Sequence, residues 1–156
     1  MNKDKNLNRF IKFTIIISFF CLSSISFSQG IEDAFRISQS GVIVQKFRLR
    51  LIAENIANLI TLKTETGLPY AKKIAVLEPS PYGVRVKEVA RSTAPFPKYF
   101  DPSLPQSDNG GFFFFPNVNL PDEYIDLGFT ENMFEANVMA FKTAKTMYQQ
   151  SLDMLK

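Results

Sequence analysis

The sequence predicts an α+β fold: two long terminal helices pairing as a coiled-coil-like stem, with a small proline-rich β insert between them. Three observations predict it. Apolar residues recur every seven positions near both ends of the chain. All nine prolines fall between Pro69 and Pro121, so a helix-breaking middle separates two proline-free ends. Inside that middle, residues 70–77 and 84–89 alternate apolar and polar, as strands with one wet face do.

Residues 1–28 read as a secretory leader. Lys3, Lys5, Arg9 and Lys12 make a positive start, an apolar run follows from Phe13 to Leu22, and Ser26 and Ser28 are the small pair ahead of a cut before Gln29. The other reading is an uncleaved anchor. The apolar part of the segment ends at Phe27, 15 residues from its start at Phe13 and short of the roughly 20 that a membrane span needs, so cleavage is the expectation. Removing the leader takes away four of 18 basic and one of 15 acidic residues, leaving 14 of each. The mature chain is then neutral, and bulk charge gives no case for nucleic-acid binding. The single cysteine, Cys21, lies in the leader, so stability must come from packing or assembly and not from disulfides.

The first helical unit spans residues 29–66. Phe35, Val42, Leu49 and Ile56 recur at seven-residue spacing, and Ile52 and Leu59 follow three places after the last two. Ser38 and Gln45 dilute the first half of this seam, which implies a helix that needs partners. The insert spans 67–126. Pro79-Ser80-Pro81-Tyr82-Gly83 is a turn between the two alternating runs, predicting a hairpin. Residues 96–111, carrying Pro97, Pro102, Pro105 and Asp108-Asn109-Gly110-Gly111, read as loop. Phe112–Phe115 reads as a strand buried on both faces, or alternatively as an exposed contact patch.

The last unit spans 127–156. Phe134, Phe141, Tyr148 and Leu155 form one seven-residue track, and Met133, Ala140, Met147 and Met154 form a second beside it. Two helices of about 30 residues, roughly 45 Å long at 1.5 Å per residue, outreach a compact globule of this size. The apolar stripe they cannot bury against each other implies further copies as partners.

Catalytic chemistry has little to stand on. The chain contains no histidine, so Ser38 and Ser40 lack a base to activate them. Asp122, Glu123 and Asp126 are expected to form a solvated turn approaching the last helix, and they lack the ligand spacing of a calcium loop. Glu65 and Glu131 have nothing in sequence to bring them together, and no phosphate-binding glycine loop is present. The expectation is no enzyme, no cofactor, no metal, no small-molecule substrate and no nucleic acid. Membrane contact would come only through an uncleaved leader.

Certain motifs are more specific. Asn55-Ile56-Ala57-Asn58, followed by Gly67-Leu68-Pro69-Tyr70-Ala71-Lys72-Lys73, resembles the N-terminal signature of flagellar axial proteins. Asp101-Pro102-Ser103-Leu104-Pro105 and the run from Gly110-Gly111-Phe112 to Pro116-Asn117-Val118-Asn119 are similar to the D-P-x-x-P and G-Y-V-x-x-P-N-V-N runs of the proximal-rod proteins within that superfamily. Phe134-Glu135-Ala136-Asn137 with Lys145-Thr146-Met147 resembles their Y-x-A-N and K-x-M helix. Order and spacing agree over about residues 31–156.

The resemblance implies a structural subunit of the periplasm-crossing flagellar basal-body rod. Its terminal helices would form an inner layer that self-assembles and transmits torque. Partners implied are further copies, other rod proteins and the protein joining rod to export ring. The secretory leader departs from the family, whose members usually leave through the flagellum's own export channel. An alternative is a secreted helical-hairpin binding or surface protein that reuses the fold. Asn55, Asn58 and Asn137 are expected to set helix register across an interface; the plainer alternative leaves them as water-facing residues at helix ends.

Overall fold

A computed structural model of the chain describes residues 25–154. Helix α1 spans Ile25–Ala57 and helix α2 spans Leu120–Asp153. Between them lie strands β1 (Lys73–Ser80), β2 (Gly83–Arg91), β3 (Lys98–Phe100) and β4 (Phe112–Phe114). The architecture is α+β. The leader reading covers residues 1–28, of which 1–24 lie outside the described residues, and Leu155 also lies outside them. No helix among the described residues is long and apolar enough to cross a membrane.

Helix α1 starts ahead of the expected position and stops earlier, at Ala57. Asn58 to Ile60 form a turn, so Leu59 is a half-buried residue beyond the helix and not one of its seam positions. Helix α2 begins at Leu120, well before the expected boundary at 127. Pro121 sits in its first turn, where a missing N–H costs nothing, and Asp122 and Glu123 complement the positive end of the helix dipole. The last proline of the expected insert therefore opens the helix.

Strands β1 and β2 form the predicted hairpin, antiparallel from Lys73↔Arg91 to Ser80↔Gly83, with a bulge between Val76 and Leu77. Pro81 and Tyr82 make the turn. Gly83 has φ +110°, a conformation that side chains with a Cβ resist. Its bare backbone also admits α1, since a Cβ there would meet Ser40 Oγ at 2.2 Å. Ser40 Oγ accepts from Val84 N at 3.2 Å and donates to Ile37 O at 2.7 Å, pinning the hairpin tip to the helix.

The region read as loop contains β3, which pairs antiparallel with β4 as Lys98↔Phe114, Tyr99↔Phe113 and Phe100↔Phe112. Phe113 is buried, Phe112 and Phe115 half-buried and Phe114 exposed. The run is therefore covered on one face, not two.

The helices pack antiparallel: Asn55 meets Glu123, Gly41 faces Asn137, and the rings of Phe35 and Phe141 lie 4.2 Å apart. The seam between them is thin. Val44, Leu51, Ile52 and Ala144 are the buried apolar residues of the two helices, Val44 and Leu51 on the side of α1 that borders the hairpin, and the three larger ones contribute about 1.5–3 kcal/mol each by leaving water. Ser38, Gln45, Asn55, Glu123 and Thr130 are buried beside them. On α1 the innermost line includes Ile52, an expected seam position, together with Ser38 and Gln45, the two expected to dilute the seam. Phe35, Val42, Leu49 and Ile56 flank it, half-buried. On α2 the inner track is Glu123, Thr130, Asn137, Ala144 and Ser151, again seven apart; Phe134 and Phe141 flank it. Met133, Ala140, Met147, Tyr148 and Met154 are exposed.

Candidate assembly site

The end of α1, the start of β1 and the start of α2 converge on Asn55. Its side chain is 1% exposed and fully used. Oδ1 accepts from the Tyr70 hydroxyl and from Lys73 N, both at 2.9 Å. Nδ2 donates to Lys73 O at 3.0 Å and to Glu123 Oε2 at 3.2 Å. An amide suits this place because it offers acceptors and donors on one planar group. One residue thereby fixes helix, strand and second helix in a single register.

Glu123, 0% exposed, is the charged member. Its Oε1 pairs with Lys72 Nζ at 2.6 Å, and Asp126 lies 3.7 Å from the same ammonium. The expectation of a solvated acidic turn is overturned at Glu123, the most enclosed charged side chain among the described residues, which is paired with Lys72. Burial works to lower the Lys72 pKa, yet the hydrogen bond and charge of Glu123, with Asp126 and Asp122, carry it above its ordinary value. Next to it, Lys73 pairs with Glu54 and lies over the Tyr70 ring.

Asn117 ties the insert to this hub. Its Oδ1 accepts from Lys72 N at 2.7 Å and its Nδ2 donates to Ala94 O at 2.8 Å. Pro69 and Pro116 are buried on either side, and Val118 is half-buried. Asn119 precedes α2 and its carbonyl accepts from Glu123 N at 3.0 Å. Gly67 turns the loop before Pro69 with φ +79°.

Other motif residues lie apart from the hub. Ile56 flanks it, while Ala57 is exposed. The Asn58 side chain donates to Glu54 O at 2.8 Å and accepts from the Thr61 hydroxyl at 3.1 Å, so it closes the end of α1. Asn137 stands at the helix crossing opposite Gly41. Ala136, Lys145 and Met147 face outward on α2. Sequence reasoning did not single out Glu123, Lys72 or Gly41 as site residues. The signal for Glu123 was the seven-residue track of small and polar residues that runs from it to Ser151.

Burial first, then the charges of Glu54 and Glu123, push the Tyr70 phenol up to about 12. A raised phenol pKa means the folded state holds its proton more tightly than the unfolded one, whose value is 10.0. The stability this contributes is complete below pH 10.0 and is lost as pH climbs toward about 12. The raised Lys72 pKa has the same sign. In an alkaline absorbance titration, Tyr70 is expected to ionise last of the five tyrosines, together with loss of helical signal. Tyr70→Phe should delete that late step. Five phenols ionising as one group with the helices intact would contradict the hub.

Flagellar basal-body rod proteins named FlgC match this chain closely in extent. The protein from Borreliella burgdorferi is 28% identical over 150 residues, covering 81% of this chain and 99% of that relative. The one from Escherichia coli O157:H7 is 29% identical over 126 residues, covering 77% and 94%. The one from Aquifex aeolicus is 30% identical over 133 residues, covering 81% and 98%. The chain belongs to the FlgC family of flagellar basal-body rod proteins. No family model matches it. Within this FlgC-family chain, Asn55, Tyr70 and Asn117, read from motifs, meet around Lys72, Lys73 and Glu123.

Proposed function

We propose that this chain is a structural subunit of the bacterial flagellar basal-body rod, placed in its proximal part, and that it acts by self-assembly and not by catalysis. The observation that carries this reading is the division of labour on α2. One face locks to α1 through Glu123, Thr130, Asn137 and Ala144, and a second apolar face, with Met133 and Met147, is left to water. A solitary protein gains nothing from that second face; a subunit in a stack buries it. The two helices act as a coiled-coil-like stem in the inner layer, with Phe35, Phe134 and Phe141 flanking the seam and Met133, Met147 and Tyr148 reaching neighbouring copies. The ion-paired hub keeps stem and insert in fixed register, which a shaft transmitting torque across the periplasm requires. Partners are further copies, other rod proteins and the protein that joins rod to export ring. The leader is cut ahead of Gln29, which N-terminal sequencing of the mature protein checks.

Electron cryo-microscopy of basal bodies from the source organism tests the assignment. Density for α1, α2 and the β insert is expected in the rod. Rods complete in a strain lacking this chain would overturn it.

A further inference from the structure

The β3–β4 pair is an arm without an internal partner. Among the described residues neither strand comes within 8 Å, Cα to Cα, of a helix or of the β1–β2 hairpin. Yet the arm is well built. The Asp108 carboxylate accepts from Gly110 N at 2.8 Å and from Phe112 N at 2.9 Å, and Gly111 turns the chain with φ +76°. Strand alternation and register put Lys98, Phe100, Phe112 and Phe114 on one face. Phe100 and Phe112 meet edge to face at 5.1 Å, and the Lys98 ammonium lies 4.0 Å from the Phe112 ring centre. Phe100 is nevertheless 65% exposed.

This face cannot turn back onto its own α2. Phe115 N donates to Pro97 O at 2.9 Å, and Asn117 bridges Lys72 and Ala94 immediately after. The short connection into Leu120 is therefore fixed, and a cover must come in trans. The same chain carries a surface of matching chemistry. Ile125 and Phe129, 70% and 58% exposed, lead into Met133 along one side of α2, and exposed Asp122 occupies the same side one turn before Ile125. An apolar strip ending in a carboxylate complements an aromatic face ending in an ammonium. Thioether sulfur beside phenyl rings adds a favourable contact.

We propose that the β3–β4 arm seats on the Asp122–Ile125–Phe129–Met133 strip of α2 in a second copy of this chain, with Lys98 facing Asp122. The proposal deepens the rod reading and rests on it. Arm and strip are different surfaces, so the contact is head-to-tail. Every bound copy still offers a free arm and a free strip, and the assembly grows as an open stack instead of closing into a dimer.

The test uses the full chain with Cys21→Ser, so that an introduced cysteine is the only one. Phe100→Cys and Phe129→Cys proteins are mixed and treated with a short bis-maleimide. Cross-linked dimer is expected several-fold more strongly in the mixture than in either protein alone. Equal or stronger cross-linking of Phe100→Cys with itself overturns the head-to-tail geometry. In parallel, sedimentation velocity follows association against concentration. Phe100→Ser/Phe114→Ser and Phe129→Ser/Met133→Ser should each raise the midpoint concentration at least about tenfold, as loss of interface anchors does. Association unchanged in both variants overturns the arm contact and leaves the rod reading standing. An unsubstituted chain that stays monomeric throughout overturns both.

Discussion

Replacing Asn55 with leucine is expected to destabilise the folded chain by about 3–5 kcal/mol, the range seen when a buried polar network loses a central partner. The side chain is similar in bulk, so little of this is a packing effect. What is lost is satisfaction of four groups, of which the Tyr70 hydroxyl and the Glu123 carboxylate are buried. The Tyr70 hydroxyl, Lys73 N and Lys73 O lose their link to α1, and Glu123 Oε2 loses its only neutral donor among the hydrogen bonds described. Urea unfolding followed by helical circular dichroism reads the effect as a lower midpoint at unchanged slope. Asn55→Asp separates hydrogen bonding from charge. It keeps acceptors for Tyr70 and Lys73 N but sets a second carboxylate against Glu123, so stability should recover partly as the pH falls and the new group protonates. A cost below about 1 kcal/mol for Asn55→Leu, within reach of ordinary substitutions, would mean that the hub is not the joint of the molecule.

That joint shows where the chain could be read directly and where it could not. Asn55, Tyr70 and Asn117 stand in recognisable motifs, and the alternating runs around Pro81 announce their hairpin. Glu123 could not be read the same way. Ionisable side chains are rarely buried without a partner, and its partner, Lys72, lies across the whole insert in sequence. Only the fold brings the two together. The seam was misplaced for a related reason. Periodicity weights large apolar residues, but helices approach closest where side chains are small, so the bulky Phe35 and Phe141 stack beside the line of contact and Gly41 and Ala144 occupy it. Strand β3 has three residues between Pro97 and Pro102, too few for an alternation to show. The four phenylalanines from Phe112 carry no period at all, and their two faces are assigned only by pairing with β3.

Gly41 is the place where this close approach can be tested. A Cβ there would lie 2.2 Å from Asn137 Oδ1 and 2.6 Å from its Cγ, so one of the two must move. Gly41→Leu is expected to cost about 3 kcal/mol or more, at the upper end of overpacking effects, because the side chain would wedge the two helices apart along their seam. Gly41→Ala is a milder case, since the clash opposes about 1 kcal/mol of improved helix propensity. Asn137 provides the control. Its side-chain amide donates to Met133 O at 2.7 Å on its own helix, so Asn137→Ala should cost little alone. Combined with Gly41→Ala it should relieve the collision, giving a favourable coupling of about 1 kcal/mol or more in a double-mutant cycle. Any wedge at this crossing also shifts the outer face of α2 relative to the hub. The substitution should therefore weaken association as well as folding, although neither residue lies on the outer surface. Gly41→Leu within about 0.5 kcal/mol of the parent, the ordinary range for surface sites, would show that the helices do not meet at this glycine.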